Sequence, residues 1–502
     1  MPGVNLEEIE AALAAHPLVE AAKAEMRADP DGAMRIVASV VPAAAAYEVP
    51  ESLMTEYTET WRRVHDAKYE PEPDDPAWDT AVWIDSYRMQ PIPTEEMQEW
   101  TNETTARILA LRPRRILEIG CGSGLLLYRL APNCEEYVGL DFSKRVIDRL
   151  EADIARRSAD LSHVKVLHRE AQALEEFADH GFDLVIINSV VMFLPSAAYL
   201  ETVLERALRT LASGGRIFIG DVRDCCSLEL FHLTIAMARA PAQADARQLL
   251  TAAGQSLATE KQLLLPPSFF TRFASKHPRI SGIRIDLKRG AARNEMNRFR
   301  FDATLATDRA PGVETKVDNI DGRTLRLDTI VRLLRDSPAR RLKISGLENA
   351  RLTAEAKFLS QLSSGQAEGA GALHHLPSSE GVEPSAVAAA AMQLGLNCCL
   401  QPSESLDPAR FNAILWPRNE IEPCLVWRFK ANQDRIDMRD EMNGQFRVKI
   451  ERNLVKMLSS LLSSRAAQFA LVEVKIVPAS KNSAEPLAML HDGYGGRYNV
   501  RQ

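Results

Sequence analysis

This 502-residue sequence lacks several features, and each absence excludes a class of protein. It has no run of about eighteen apolar residues and no basic start followed by an apolar stretch, so it predicts neither a membrane span nor a signal peptide. Positive charge is not in excess, since the formal net charge is −7. Nucleic acids bind basic surfaces, and a nucleic acid is therefore not expected as the main partner.

Cysteine is scarce and irregularly spaced. The seven cysteines form no C-x-x-C pair and no disulfide framework, which predicts reduced thiols in a cytoplasmic protein. Two adjacent pairs, His374-His375 and Cys398-Cys399, have the chemistry of metal ligands. Adjacent residues do not readily ligate one ion together, and no second pair stands at metal spacing, so no metal is expected.

The remaining composition is that of a globular protein of several domains. Hydrophobic residues make up 46% of the chain and charged residues 26%, which are ordinary fractions. A chain of this length predicts two to four domains with enough apolar material for a sizeable core.

The most informative segment is an apolar run that ends in a glycine-rich loop. It extends from Ile116 to Gly124 and has the spacing E-x-G-x-G-x-G, with Glu118 first and the other glycines at Gly120 and Gly122. Glycines at alternate positions let the backbone approach a ligand where a Cβ would clash. The pattern predicts a buried strand, a tight turn and a helix around a ligand.

A carboxylate follows at the end of the next predicted strand. Asp141 closes the segment Tyr137–Asp141, where nucleotide-binding α/β folds place an acid that accepts hydrogen bonds from ribose hydroxyls. The nicotinamide fingerprint is G-x-G-x-x-G, which differs from the spacing here. The two features together predict a nucleoside-containing ligand other than a nicotinamide.

Strands and helices alternate through the middle of the chain. Predicted strands lie near residues 115–119, 137–141, 164–167, 183–188, 216–220, 283–287 and 299–305. This alternation predicts an α/β fold with a doubly wound, mostly parallel sheet. Only a polar loop separates the last two strands, so they are expected to form an antiparallel hairpin at one edge.

The glycine loop resembles motif I of class I S-adenosylmethionine-dependent methyltransferases. Further segments resemble methyltransferase domains embedded in nonribosomal peptide synthetases and hybrid polyketide synthases. These segments are W-I-D-S-Y-R-M-Q-P-I-P from residue 83, F-D-L-V-I-I-N-S-V-V from 182, G-G-R-I-F-I-G-D-V-R from 214 and the F-H pair at 231. The resemblance covers roughly residues 55–415 and implies a Rossmann-like fold of this class with a helical lid.

Both ends of the chain resemble parts of the C-terminal adenylation subdomain of these synthetases. Residues 3–42 match its G-E-I-E-A-A-L, H-P-x-V and V-A-x-V-V-P segments, and methyltransferases are inserted at that point. The hinge and lysine motifs expected near residues 463–482 are degraded, and the large adenylation lobe is not within this sequence. The resemblance implies a pseudo-adenylation remnant that acts as a scaffold, with the two flanks packed together.

The predicted organisation has six segments. They are residues 1–48, the first part of the pseudo-adenylation fragment; 49–110, a helical lid; 111–310, the methyltransferase core; 311–438, an α/β extension; 439–485, the second part of the fragment; and 486–502, a linker.

The resemblance implies S-adenosylmethionine as the cofactor and assigns the residues that hold it. The expected cofactor-binding residues are Glu118, Gly120, Gly122, Gly124, Asp141, Phe142, Ala171, Gln172 and Asn188. Asp141 would bind the ribose hydroxyls, Phe142 would flank the adenine, and Asn188 would face the cleft from the end of the fourth strand.

The acceptor side rests on fewer residues. His232, of the F-H pair, is the expected general base, and Glu295 is expected to orient it or balance its charge. Trp83 and Tyr87 lie in the segment expected to fold over the site, although both also suit a plain aromatic core. Met192 stands where the synthetase N-methyltransferases usually have glutamine, which leaves an apolar wall in the acceptor pocket.

Three functions remain open at this stage. The apolar Met192 favours O-methylation of a β-hydroxy or enol oxygen on an acyl intermediate carried by the phosphopantetheine of an acyl carrier protein. N-methylation of a carrier-bound aminoacyl amine is the alternative, and a non-catalytic insertion that docks neighbouring synthase domains is the third. Neither a nucleic acid nor a membrane is expected as a partner.

Overall fold

The computed structural model contains three separate β-sheets with helices around them. It describes residues 5–28, 34–47, 51–69, 73–241, 243–308, 317–336, 341–364, 381–420, 444–465 and 472–477. Two compact units are present: residues 1–57, 260–263 and 432–502 belong to the first, and residues 58–259 and 264–431 to the second.

The strands, in chain order, are β1 (Val19–Ala28), β2 (Met34–Pro42), β3 (Arg115–Ile119), β4 (Glu136–Asp141), β5 (Val164–His168), β6 (Phe182–Asn188), β7 (Leu211–Arg223), β8 (Ile280–Leu287), β9 (Arg300–Thr307), β10 (Asp318–Asp321), β11 (Leu342–Glu348), β12 (Leu396–Pro402), β13 (Arg410–Pro417) and β14 (Val472–Ile476).

The helices are α1 (Leu6–Ala14), α2 (Glu51–Lys68), α3 (Thr94–Leu109), α4 (Leu127–Leu130), α5 (Lys144–Arg156), α6 (Ser158–Leu161), α7 (Ala197–Thr210), α8 (Leu228–Arg239), α9 (Ala246–Ala258), α10 (Ser268–Lys276), α11 (Glu295–Phe299), α12 (Leu327–Asp336), α13 (Thr353–Ser363), α14 (Pro384–Gln393) and α15 (Gly444–Arg465).

The central sheet has seven strands in the order β5-β4-β3-β6-β7-β9-β8. Strands β3 to β7 are parallel, whereas β9 pairs antiparallel with both β7 and β8. Strands β3 and β6 lie in the middle, and their side chains, such as Leu117 and Ile187, are buried. Continuous apolar runs suit strands that helices cover on both faces. The predicted doubly wound sheet with an antiparallel edge hairpin is confirmed.

Residues of both flanks form a second, three-stranded sheet in the first unit. Its order is β1-β2-β14, and β14 runs parallel to β2, with Val474 opposite Ala38. Helices α1 and α15 bury Ile9 and Leu458 in the same apolar cluster as this sheet. Segments more than 400 residues apart in the chain therefore share one small core.

Strand β1 is an element that the sequence analysis did not predict. Its sequence V-E-A-A-K-A-E-M-R-A is rich in Ala, Glu, Lys, Met and Arg, which are helix formers by intrinsic propensity. Its pairing with β2 along nine residue positions makes it a strand instead. Tertiary pairing overrides local propensity here.

The extension after the central sheet forms a third sheet in the second unit. Its order is β10-β11-β13-β12, and α12 and α14 contribute Ile330 and Val387 to its apolar cluster. Strand β12 lies near β8, where the Arg289 guanidinium donates a hydrogen bond of 2.6 Å to the carbonyl of Cys398. The extension therefore covers the edge of the central sheet at β8. Such cover keeps the unpaired backbone groups of an edge strand from pairing with another chain.

Several sequence expectations fall outside the described residues. They concern His374-His375, the degraded lysine motif near Lys481-Asn482 and the linker 486–502. Among the helices that the structure does describe, none combines the length and the apolar character needed to cross a bilayer.

The shared core of the flanks can be tested with a truncation in α15. Leu458 is fully buried among residues of α1, β2 and β14. Leu458→Ala should lower the free energy of unfolding of this unit by about 2–5 kcal/mol, because it leaves a cavity. The measurement is a urea titration followed by hydrogen exchange of β2. Ser460→Ala changes an exposed residue of the same helix and should have little effect; equal losses in both variants would contradict the shared core.

Candidate active site

The glycine loop follows β3 and has a backbone that only glycine adopts easily. Gly120, Gly122 and Gly124 all have positive φ, at 78°, 52° and 86°. A Cβ on Gly120 would lie 2.3 Å from a methyl carbon of Val190, which is far inside van der Waals contact. A loop without side chains at these positions is what the sequence spacing predicts. This loop is called the glycine cradle below, and ligand binding by it remains a prediction.

Asp141 ends β4 beside this loop and ties the loop to the strand. Its two carboxylate oxygens accept hydrogen bonds from the backbone amides of Gly122, at 2.9 Å, and Ser143, at 2.8 Å. Burial raises the pKa of Asp141 to about 6, although both amide bonds act in the opposite direction. Ribose binding by Asp141 remains a prediction, and its carboxylate lies at the end of β4 beside the glycine loop.

Glu118 supports the loop from within the sheet. It is almost fully buried in β3, and the Tyr137 hydroxyl donates a hydrogen bond of 2.6 Å to its carboxylate. Burial raises the pKa of Glu118 to about 7, against the effect of the Tyr137 hydroxyl. Two carboxyl groups with raised pKa values thus stand next to the cradle.

The segment before α3 places aromatic side chains over the cofactor side. The His65 ring packs edge-on against Phe142, at 5.5 Å between ring centroids, and against Phe193, at 5.2 Å. The Tyr69 hydroxyl lies 3.2 Å from the position of a Cβ on Gly122. Burial lowers the pKa of His65 to about 4, so the ring is neutral near pH 7. These lid aromatics were missed, because nothing in their spacing marks them.

Polar anchors hold this aromatic segment against the core. Arg149 of α5 donates one hydrogen bond to the backbone carbonyl of Tyr69 and another, of 3.0 Å, to the Asp79 carboxylate. The Ser123 hydroxyl of the glycine loop donates to the backbone carbonyl of Asp79 at 2.9 Å. Hydrogen bonds thus connect this aromatic segment with both the glycine loop and α5.

Two further predicted cofactor residues lie at the same edge of the sheet as Phe142. Ala171 and Gln172 follow β5, and the carbonyl of Gln172 accepts a hydrogen bond of 2.6 Å from Arg206. Phe142 follows β4, and its carbonyl contacts a ring nitrogen of His168 at 2.9 Å. All three residues are brought to the carboxyl ends of neighbouring parallel strands, as predicted.

Asn188 ends β6 and offers a buried acceptor next to the cradle. Its amide nitrogen donates to the Ser189 hydroxyl at 3.2 Å. Its side-chain oxygen is buried and has no hydrogen-bond partner among the residues that the structure describes. A buried acceptor without a donor is costly. Together with the glycine cradle, it fits a ligand that brings ammonium or hydroxyl donors, as S-adenosylmethionine does.

Asp221, within β7, is the centre of a buried charge cluster. Its carboxylate accepts hydrogen bonds from Trp100 at 3.2 Å, Ser189 at 2.9 Å and Arg300 at 2.6 Å. Burial by itself would raise the pKa of Asp221, but Arg300 and Lys288 outweigh it and hold that pKa below its ordinary value. Asp221 is therefore a buried carboxylate that stays charged.

The backbone around this cluster is strained. Asp221 has a φ of 66° and Ser189 a φ of 58°, in the left-handed region that residues other than glycine rarely occupy. The Asp302 carboxylate accepts the Asp221 amide at 2.8 Å. Such strain persists where the surroundings determine the backbone, and it is common at functional sites. Asp221 lies within one of the motifs quoted above, but no role was predicted for it. Its positive φ depends on tertiary contacts, which the sequence does not show.

The two predicted catalytic residues have partners other than each other. The carboxylate of Glu295 accepts hydrogen bonds from Arg300 at 2.9 Å and from the backbone amide of Ser86 at 2.7 Å. The Nδ1 atom of His232, on α8, lies 2.8 Å from the hydroxyl of Ser256 on α9. The imidazole of His232 therefore contacts Ser256, whereas Glu295 belongs to the Asp221 cluster.

The predicted acceptor residues lie in or near the lid segment. Trp83 packs against Trp100, with 4.6 Å between ring centroids, in a cluster that includes Met296. Tyr87 is half-buried against the cluster around Phe231. Met192 is buried in a short 3₁₀ turn after β6. Trp83 and Tyr87 contribute to packing, and Met192 lies near the cofactor-side strand end.

One group of potential metal ligands is present in the described part of the chain. Ligand atoms of Asp224, Cys225 and Cys226 lie within 4.8 Å of one another. The Asp224 carboxylate accepts the backbone amide of Cys226 at 2.9 Å and so caps the 3₁₀ turn that follows. This capping bond brings the three residues together without an ion, and the absence of a metal remains a prediction.

Comparison with known proteins identifies relatives of this fold and site. Residues 117–217 match the family model described as "Methyltransferase domain". A chondramide synthase of Chondromyces crocatus is 34% identical over 374 residues, which cover 72% of this chain and 10% of that protein. A probable non-canonical nonribosomal peptide synthetase of Salinispora arenicola is 36% identical over 346 residues, which cover 69% of this chain and 4% of that protein.

This chain thus spans a tenth or less of the length of these relatives. Among solved structures, an N-methyltransferase of Bradyrhizobium japonicum in complex with S-adenosyl-L-homocysteine is 17% identical, and the match covers 50% of this chain and all of that one. Its TM-score is 0.32, which is too low to support any argument about function.

The raised pKa of Asp141 predicts how cofactor binding depends on pH. Because the ribose hydroxyls need a carboxylate acceptor, affinity for S-adenosylmethionine should fall as the pH drops below about 6, roughly tenfold for each pH unit. Isothermal titration between pH 5 and 7 measures this. Asp141→Asn should bind about 1–3 kcal/mol more weakly and lose most of the pH dependence. An unchanged pH profile in that variant would assign the titration to another group.

Proposed function

Because this chain carries an S-adenosylmethionine-dependent methyltransferase domain of the kind found within nonribosomal peptide synthetases, we propose that it methylates an acyl intermediate bound to a carrier protein. The favoured acceptor is a β-hydroxy or enol oxygen. The observation that supports this most is the adjacency of two buried sites at the ends of β3, β4, β6 and β7. One is the glycine cradle and the other is the charge cluster around Asp221.

When bound, S-adenosylmethionine would supply an electrophilic methyl group: the acceptor oxygen would bond to its carbon as the carbon–sulfur bond breaks, and S-adenosyl-L-homocysteine would leave. The cradle at Gly120 and Gly122 positions it, with Asp141 on the ribose and the Asn188 side-chain oxygen on a donor group. Positioning of the two reactants accounts for a large share of such a rate enhancement. The lid at His65 and Tyr69 excludes water from that side of the site.

His232 is proposed as the general base that takes the acceptor proton. Its Nδ1 atom lies 2.8 Å from the Ser256 hydroxyl. When Nδ1 carries the hydrogen and donates it to that hydroxyl, Nε2 is the nitrogen that accepts a proton. Ser256 therefore takes the orienting role that the sequence analysis gave to Glu295. Glu295 acts instead through Arg300, which it helps to hold against Asp221.

Met192 supports an oxygen acceptor over an amine. It is buried near the cofactor-side strand end and offers a thioether in place of the amide common in the N-methylating synthetases. An apolar wall suits an acyl chain better than an aminoacyl amide, whose polar groups would lose hydrogen bonds there. N-methylation is the second candidate, because the two relatives compared above include a peptide synthetase by name.

The flanking sheet is proposed to be an adenylation remnant that serves as a scaffold. Strands β1 and β2 come from the N-terminal flank, and β14 comes from the C-terminal flank. The segment between them holds the methyltransferase core, which is the arrangement expected for an inserted domain. An acyl carrier protein and neighbouring synthase domains are the proposed partners.

The role of His232 predicts a specific kinetic change. His232→Ala should lower kcat by about 10²- to 10⁴-fold, the usual contribution of a positioned base, while cofactor affinity stays nearly unchanged. Ser256→Ala should lower kcat less, since it removes only the contact that orients the ring. The measurements are steady-state kinetics and isothermal titration. Nearly full activity of His232→Ala would assign proton removal to another group.

The acceptor can be identified with carrier-bound substrates. A carrier protein loaded with a β-hydroxyacyl or β-ketoacyl group should gain one methyl group by mass spectrometry, and an aminoacyl carrier should not. Met192→Gln should reduce transfer to the acyl acceptors more than it reduces cofactor binding. Methylation of the aminoacyl carrier alone would establish the second candidate, and methylation of none would refute both.

A further inference from the structure

The extension after the central sheet reaches into the loop that precedes Glu295. This segment, residues 288–297, comprises the connection that follows β8 and the first residues of α11, and it is called the 288–297 loop below. It begins with Lys288, whose ammonium lies 3.0 Å from the Asp302 carboxylate and 3.6 Å from that of Asp221. It ends with Glu295 and Asn297. The conformation of the 288–297 loop therefore determines the positions of Lys288, which faces Asp221, and of Glu295, which pairs with Arg300.

Arg351 of the extension binds the carbonyl groups of this loop. Its guanidinium donates hydrogen bonds to the backbone carbonyls of Lys288 at 2.7 Å, Asn297 at 2.8 Å and Gly290 at 2.6 Å. Its Nε donates a further hydrogen bond to the Glu383 carboxylate at 2.5 Å. The Arg351 side chain is only 3% exposed. One buried planar cation thus holds the start, the middle and the end of the loop.

Helix α3 holds the amide groups of the same loop from another direction. The Glu99 carboxylate accepts the backbone amides of Ala291 at 2.7 Å and Ala292 at 3.0 Å, and the side-chain amide of Asn297 at 3.2 Å. Arg351 therefore binds carbonyl groups of the loop, and Glu99 binds amide groups of the same loop. A Cβ on Gly290 would lie 2.6 Å from the Glu99 carboxylate, so the fit is close.

Hydrogen bonds connect the 288–297 loop with Asp221 and with the end of β6. Glu295 joins Arg300, and Arg300 joins Asp221, which accepts the hydroxyl of Ser189 beside Asn188. Glu295 also accepts the backbone amide of Ser86 in the lid segment. A continuous series of hydrogen bonds therefore connects Arg351 with the strand end at the cofactor cleft.

From this series we infer that Arg351 is a positioning residue for methyl transfer and that the extension is an integral part of the acceptor site. The inference rests on the proposed function for its kinetic part. Arg351 touches neither reactant. It orders the 288–297 loop so that Glu295 and Lys288 hold Asp221 and Arg300 in place, and it does so without contact to the glycine cradle.

Arginine is suited to this role and lysine is not equivalent. The guanidinium presents five donors in a rigid plane, so it reaches three carbonyls and a carboxylate at once. An ammonium has three donors on a flexible stem and cannot span the same set. Arg351→Lys should therefore keep the buried charge and the fold while it loses most of the restraint on the loop.

The test combines hydrogen exchange with kinetics in the full chain. In Arg351→Ala and Arg351→Lys, peptides from residues 84–92 and 288–299 should exchange at least tenfold faster, while peptides from 117–143 stay unchanged. The kcat for the acyl carrier should fall roughly 10- to 100-fold, with less effect for lysine, because small misplacements are costly in rate. The Kd for S-adenosylmethionine should change less than twofold.

Arg341→Ala is the matched control. Arg341 also lies in the extension, and its guanidinium pairs with Glu420 at 2.6 Å. This variant loses an arginine–carboxylate pair of the same sheet and should leave kcat and both exchange regions unchanged.

Three outcomes would overturn the inference. Unchanged exchange in both peptides would show that Arg351 does not order the loop, and unchanged kcat with faster exchange would show that transfer does not need the ordered loop. Parallel losses in cofactor affinity, melting temperature and exchange at 117–143 would make Arg351 a general structural residue. If the wild type methylates no carrier substrate, the proposed function fails, and the exchange data still decide whether Arg351 orders the loop.

Discussion

The ion pair between Asp221 and Arg300 is the contact on which the acceptor side of this structure depends. Both side chains are almost completely buried, and neither charge is stable there without the other. Asp221 also accepts hydrogen bonds from α3 and from the end of β6. The pair therefore joins strands β6, β7 and β9 with the helix that precedes the core.

The cofactor side contains buried carboxyl groups whose pKa values are raised and not lowered. Glu118 and Asp141 are buried carboxyl groups with pKa values raised by burial to about 7 and about 6. A group with a raised folded-state pKa contributes stability at low pH and loses it as the pH rises through that value. Burial thus disfavours the charged forms of both carboxyl groups near neutral pH, and hydroxyl or ammonium donors of a ligand would stabilise those forms. On the acceptor side, Arg300 and Lys288 balance the charge of the Asp221 carboxylate. On the cofactor side, a bound ligand would stabilise the charged carboxyl groups.

Much of the fold follows from local patterns in the chain. The apolar runs that became β3 and β6 and the glycine spacing after β3 predict a parallel sheet with a ligand at its carboxyl edge. The edge hairpin of β8 and β9 was also predicted. Strand β1 was not, since its residues favour a helix and only the ladder with β2 makes it a strand. Pairing between distant segments carries no local signature, and the same reason hides the partner of His232.

The sequence by itself indicated the cofactor half of the proposed site, because adjacent strand ends and glycine turns are local features that spacing reveals. Only the tertiary structure decided the acceptor half. It paired His232 with Ser256 from another helix, placed Glu295 on Arg300, and brought Arg351 from the extension onto the loop before Glu295. These contacts join residues up to about sixty positions apart through directional hydrogen bonds. Such bonds depend on the packed positions of whole elements, which residue spacing along the chain does not record.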